Sequence, residues 1–228
     1  MVPTQEITKV RIKFSKVGDL MYISHLDLAR TMQRIILRAE LDIWYSEGFN
    51  PQPKMVFAQP LPTGVESVCE LLDIKLNSYM DCEEIKERLN RNFPREMRVL
   101  DVYTPEEKIK EIAFTEYKIS LYSDKIGENT QEDVEKLFTG ECLLEKKTKS
   151  GVKEINVSEY IKEISVKADG NELTLSVILH SSAEKTLSPE ILVEAMRKYL
   201  DIMTSDGIDE HYSIMRERML KSDLSEFR

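Results

Sequence analysis

Residues 45–64 read YSEGFNPQPKMVFAQPLPTG, a stretch that holds four of the chain's eight prolines and two of its eight glycines. Its reading decides the fold, because it is either a linker between domains or an insert within one. Tyr45, Phe49, Met55, Val56 and Phe57 are apolar side chains that favour burial, which argues against a flexible linker. Pro51, Pro53, Pro60 and Pro62 remove backbone freedom before anything binds. Gly48 and Asn50 tolerate positive φ, so SEGFNP reads as a sharply shaped turn. The segment is a preorganised loop, whose role is either to shape a binding surface or to cap the sheet beneath it.

Outward from that loop, the flanking pattern sets the architecture. Thr8–Phe14 alternates Val10, Ile12 and Phe14 with Lys9, Arg11 and Lys13, which predicts a strand with one buried face. Ser24 followed three residues later by Asp27 is close to a capping box, and Leu28, Met32, Ile35, Ile36 and Ala39 recur at helical spacing over about four turns. Leu41–Tyr45 reads as a second strand, Cys69–Leu76 as a third, Asp81–Phe93 as a helix closed by Pro94, and Met97–Tyr103 as a fourth strand. The order β-α-β-β-α-β is that of a ferredoxin-like unit, with 45–64 inserted between its second and third strands.

The second half repeats the theme: strand 116–122, helix 131–138, strand 142–147, strands 160–166 and 172–179 around the hairpin signal Asp169-Gly170, helix 189–200, and a last strand 212–219. The expected fold is therefore α+β, with two tandem ferredoxin-like units built on antiparallel sheets. Domain one spans 1–104 and domain two 113–228, with a linker at 104–112 and an extra segment at 148–158.

The chain has 228 residues and a net charge of -9, with 41% hydrophobic and 32% charged residues. That composition describes a globular domain rather than a disordered one. No apolar run reaches the roughly 18 residues that a membrane helix needs, so a cytoplasmic protein without membrane contacts is expected. Cys69, Cys82 and Cys142, and likewise His25, His180 and His211, fall at spacings that suit neither disulfides nor a metal site. No phosphate-binding or nucleophile-elbow motif is present either, so neither metal nor cofactor is expected.

Acidic excess disfavours a nucleic-acid partner, but its distribution is uneven. Residues 106–228 carry 18 basic and 26 acidic side chains, whereas within 7–60 eight basic residues outnumber five acidic ones. Arg30, Arg34 and Arg38 recur every four residues on the first helix, and Lys54 could extend that stripe. Guanidinium groups suit phosphate because their planar fork donates paired hydrogen bonds. The alternative is a solvated helix face partly neutralised by Asp27. His25 and Asp27 at the helix start are weak acid-base candidates, each with a structural alternative as a first-turn or capping residue. The shaped loop offers Tyr45, Ser46, Gly48, Phe49, Asn50, Pro51, Pro53 and Phe57, whose aromatic rings could stack on bases or pack in the core.

The run SHLDLARTMQRIILRAELDIWYSEGFNPQPKMVFAQPLPTGVES, followed by CELLDIKL, closely resembles the amino-terminal part of the radical-SAM-linked protein family, a bacterial domain family of unknown function. NVSEYIKEISV at 156–166 resembles its weaker second block. The motif residues are Ser24, His25, Leu26, Asp27, Arg30, Ser46, Gly48, Phe49, Pro51 and Pro53, with Phe57, Leu61, Pro62 and Gly64. Gln52 stands where the family often has His, which weakens any proton-transfer or metal role at that position.

The resemblance implies a context: a radical SAM protein encoded alongside or fused, near genes for a ribonuclease of the G type and for ribosomal proteins. The chain itself lacks the C-x-x-x-C-x-x-C spacing of the radical SAM cluster. The expected function is an accessory RNA-recognition module working with a radical SAM partner in RNA or translation-linked metabolism, without activity of its own. Two alternatives stand beside it. One is an RNA-acting enzyme using His25 and Asp27, for which the paired ferredoxin-like units of CRISPR repeat-processing endoribonucleases are a fold analogy. The other is an adaptor that docks on the radical SAM protein.

Overall fold

The computed structural model describes residues 7–148, 151–205 and 209–228. Residues 149 and 150 of the expected extra segment lie outside the described residues, as do 1–6 of the first expected domain and 206–208 of the second. The chain is a mixed α+β protein whose sheets are built from antiparallel pairs. It divides into two compact units, one reaching to Ile109 and including Arg228, the other Lys110–Phe227. The division falls inside the segment 104–112 expected as the linker.

The first unit contains β1 (Thr8–Lys16), α1 (His25–Arg38), β2 (Met55–Phe57), β3 (Glu66–Leu76), α2 (Cys82–Asn90) and β4 (Met97–Tyr103), with strand order β4-β1-β3-β2. Both helices pack on one sheet face. Val10, Ile12 and Phe14 of β1 share a core with Leu28, Met32, Ile35 and Ile36 of α1 and with Ile85 and Leu89 of α2. That is the consequence of period two meeting period 3.6 on facing surfaces. Both helix starts are capped: the Ser24 hydroxyl accepts from the Asp27 N–H, and the Asp81 carboxylate accepts from the Glu83 and Glu84 N–H groups.

Two expectations about this unit need correction. The second strand is not Leu41–Tyr45. Ile43 makes a single bridge to Leu76, the chain leaves the sheet, and the strand resumes as β2, where Met55 faces Ile74 and Phe57 faces Leu72. Ile43 and β2 thus lie along the same edge of β3, as one strand interrupted by an arm.

Nor is β1 buried on one face only. Arg11 is fully buried on the side expected to be open, where it donates to both carboxylate oxygens of Asp73 at 2.6 and 2.8 Å and to the carbonyls of Arg228 and Glu107 at 2.8 and 3.0 Å. A buried guanidinium persists because its donors are matched by these acceptors. Burial lowers its pKa, but the Asp73 carboxylate, joined by Tyr103 and Glu107, more than reverses this and the net shift is upward. The neighbouring Tyr103 hydroxyl is pushed up to about 12, mainly by burial and against the opposing pull of Arg11 and Arg228.

The second unit contains β5 (Phe114–Ser123), α3 (Thr130–Thr139), β6 (Leu143–Thr148), β7 (Gly151–Asn156), β8 (Ile161–Asp169), β9 (Glu172–His180), α4 (Glu190–Leu200) and β10 (Glu210–Leu220). Its main sheet runs β10-β5-β9-β8, and among the described residues β6 and β7 pair only with each other as a separate hairpin. The 142–147 strand therefore belongs to the inserted hairpin rather than to the main sheet. Gly170 adopts φ +57° in the turn between β8 and β9, where its lack of a Cβ removes the steric penalty.

Buried Glu210 anchors the chain leading into β10. One carboxylate oxygen accepts from the Ser123 hydroxyl at 2.7 Å and the Met203 N–H at 3.0 Å, the other from the N–H and hydroxyl of Ser205 at 2.6 and 2.7 Å. Led by the Ser205 N–H bond, these donors outweigh the cost of burial and lower its pKa to about 2.

Candidate functional site

The arm that interrupts the edge strand begins at Trp44, whose N–H donates to the Lys75 carbonyl at 2.8 Å. Lys54 N–H returns to the Trp44 carbonyl at 2.9 Å, and Ser46 N–H reaches the Gln52 carbonyl at 2.8 Å. The Gln52 N–H bonds to the Ser46 hydroxyl at 3.0 Å, and Tyr45 bridges Pro53. The loop expected at 45–64 is thus a two-legged hairpin arm over 44–54, then β2, then a return through 58–65.

At the arm's tip Gly48 takes φ +130°, with nothing within 4 Å of where a Cβ would stand. The glycine answers to backbone shape, not to crowding. Phe49, Asn50 and Pro51 are exposed, and Phe49 is 113% exposed, more than in an extended reference chain. Tyr45 is 40% exposed, whereas Ser46, Pro53 and Phe57 are partly covered. Phe57 lies against the core and meets the His25 ring edge to face at 5.1 Å. It is a packing residue that ties β2 to the start of α1. Trp44 lies under the Lys75 ammonium, 5.2 Å from the ring centroid.

On α1, Arg30, Arg34 and Arg38 are all exposed. At 100° per residue Arg30 points directly away from the buried stripe of Leu28, Met32, Ile35 and Ile36, and the other two follow with a slow drift. Arg30 makes an exposed 3.4 Å pair with Asp27, which contributes little. The side chains of Arg34, Arg38 and Lys54 make no ion pair or hydrogen bond among the described residues.

The structure does not join His25 to Asp27. Asp27 accepts from the Ser24 hydroxyl at 2.7 Å and from Arg30, while His25 rests on Phe57. Nor does any hydrogen bond or ion pair link the arginine stripe to the arm among the described residues.

Sequence reading passed over the exposed apolar neighbours of the stripe: Tyr22 at 63%, Leu26 at 59% and Leu37 at 57%. Leu26 and Leu37 were findable, since both fall on the arginine side of the helical wheel. The three cysteines are free, with Cys69 and Cys142 buried, and burial raises the pKa of the Cys82 and Cys142 thiols. No cluster of His, Cys, Asp and Glu able to hold a metal occurs among the described residues, and no helix among them is long and apolar enough to cross a membrane.

Residues 9–189, which include α1, the arm and the edge strand, match a family described as an uncharacterized protein conserved in bacteria. The chain belongs to this family, DUF2344. No curated protein matches the DUF2344 chain. Among solved structures, it is similar to a Cbf5-Nop10-Gar1 complex, with TM-score 0.49 and 14% identity over 94% of this chain and 50% of that chain. It is also similar to an H/ACA RNP bound to a substrate RNA containing 2'-deoxyuridine, with TM-score 0.48 and 12% identity over 92% of this chain and 47% of that chain. The DUF2344 chain spans about half the length of these two chains. At this similarity the likenesses say nothing about what it binds.

Proposed function

We propose that the protein is an accessory RNA-recognition module that works with a radical SAM protein, and that both its units are ferredoxin-like. The strand orders β4-β1-β3-β2 and β10-β5-β9-β8, each with a helix after its first strand and another before its last, support the fold reading.

The observation that carries the functional reading is the solvent side of α1, where three arginines stand exposed and the side chains of Arg34 and Arg38 make no ion pair or hydrogen bond among the described residues. Such side chains are available to phosphates, which guanidinium groups bind through paired donors. The fully exposed Phe49 adds a ring on which a base can stack. His25 and Asp27 serve this reading as first-turn structure, with no catalytic step assigned.

The test is filter binding of fractionated bacterial RNA to the full chain and to an Arg30→Ala/Arg34→Ala/Arg38→Ala variant. Saturable, salt-sensitive binding that the variant loses supports the proposal. Absence of salt-sensitive binding, or binding indifferent to the three arginines, overturns it.

A second reading, an adaptor docking on the radical SAM protein, is favoured by Phe49 alone, because an exposed aromatic on a preformed arm is also a protein anchor. Co-purification with that partner should then fall in a Phe49→Ala/Pro51→Ala variant. Undiminished co-purification would exclude the arm as the docking element.

A further inference from the structure

The acidic second unit contains a corner where positive charge converges. The inserted hairpin turns Leu144 and Ile155 inward, each 7% exposed, and by strand alternation Lys146 and its directly paired neighbour Lys153 share that inward face. Glu145 and Glu154, also paired, take the opposite face. Like charges directly opposite each other are unfavourable in a ladder.

Lys146 leads on to the end of the main sheet. Lys146 Nζ donates to the Thr186 carbonyl at 2.9 Å and lies 5.7 Å from the Tyr160 ring centroid, while Lys185 Nζ lies 5.4 Å from that same ring. Two ammonium groups therefore converge on one aromatic ring. Lys162 at the start of β8 and Lys185 both act on His180 at the end of β9. Glu159, Glu163 and Glu184 are exposed neighbours in sequence, yet none pairs with these lysines, and Lys146, Lys153, Lys162 and Lys185 have no carboxylate partner among the described residues.

We propose that this corner is a phosphate-binding site of the second unit, with Lys146, Lys153, Lys162 and Lys185 supplying the charge. Tyr160 holds two of the cations by its ring face, so repulsion between them is partly offset before the ligand arrives. The ligand is a phosphate-class anion, either a soluble phosphate compound or a nucleic-acid backbone. The site stands independently of the arginine face of α1.

His180 is a built-in reporter. Burial, then Lys185 and Lys162, depress its pKa, and an anion that cancels the lysine field raises it. The experiment is an NMR titration of the His180 ring, assigned with a His180→Gln variant, in the full chain. Inorganic pyrophosphate and a single-stranded uridine 10-mer are added separately at fixed ionic strength.

A saturable upward shift of the His180 midpoint is expected, weakened about tenfold or more in Lys146→Gln/Lys185→Gln and kept in Lys146→Arg/Lys185→Arg, where the charge survives. Response to pyrophosphate alone identifies a soluble ligand, and tighter response to the 10-mer identifies a backbone. The Arg30→Ala/Arg34→Ala/Arg38→Ala variant keeps the pyrophosphate response, which separates this site from the RNA reading above. A shift reproduced by chloride at matched ionic strength, or no shift with either probe, overturns the proposal.

Discussion

Glu210→Gln removes one charge and changes almost nothing in size, so its effect isolates what the carboxylate does. Glu210 accepts four hydrogen bonds from Ser123, Met203 and Ser205, and Lys125 Nζ lies 3.9 Å away. The glutamine keeps one accepting oxygen and turns an NH2 group toward donors of Ser123 and Met203 or of Ser205. Its folded pKa of about 2 lies below the roughly 4.3 of an unfolded glutamate, and that gap corresponds to about 3 kcal/mol. Charge-assisted bonds worth roughly 1.5–3 kcal/mol apiece, set against several kcal/mol for burying the charge, give the same order.

Because the folded pKa is depressed, this stabilisation is complete above the unfolded pKa and is lost as pH falls toward the folded value. The window is roughly pH 5 to 2. Amide hydrogen exchange in β5 and β10 is the assay, and at neutral pH protection in the variant should fall about 100-fold. Urea unfolding followed by circular dichroism should show the gap between the two proteins closing as pH drops through that window. A variant within about 0.5 kcal/mol of the parent at pH 7, or a gap that ignores pH, would refute the reasoning.

Asp73→Asn leaves the buried Arg11 guanidinium without its carboxylate and should cost about 3–5 kcal/mol in urea unfolding, while Arg11→Met/Asp73→Leu should recover most of it. If the arginines of α1 each contact one phosphate, the plot of log affinity against log salt for single-stranded RNA should become shallower by about 2 in the triple alanine variant. Phe49→Ala should leave the denaturant midpoint unchanged, since the residue is fully exposed, and yet weaken binding of RNA or protein. A destabilisation above about 1 kcal/mol would make Phe49 a packing residue instead.

What was legible in the sequence followed from local pattern. The α1 cap, its buried stripe and the β4 boundaries are each written in one short stretch, in Ser24–Asp27, Leu28–Ala39 and Met97–Tyr103. The edge strand was not legible, because Ile43 and Met55 come to face Leu76 and Ile74, two positions apart on β3, only after the arm between them folds away. Alternation marked Arg11 as open because it reports the pleat and is blind to Glu107 and Arg228, which lie some hundred or more positions away. The lysine corner was hidden in the same way. Lys146 and Lys185 are far apart in a half whose acidic total points to the opposite sign.

The prolines of the arm have a physical explanation that needs no ligand. β2 is a three-residue strand that among the described residues pairs only with β3, and Val56 within it is 43% exposed. Such an edge invites pairing with another chain, and shortness, interruption and flanking prolines are standard defences against it. Pro51, Pro53, Pro60 and Pro62 fit that role. Phe49 does not, because an exposed aromatic at the tip works against the solubility that such defences protect, and burying it on a partner would gain roughly 1.5–3 kcal/mol. Edge protection therefore accounts for the stiffness of YSEGFNPQPKMVFAQPLPTG, and it leaves the exposed Phe49 ring outside its account, as the residue on which the proposed binding role rests.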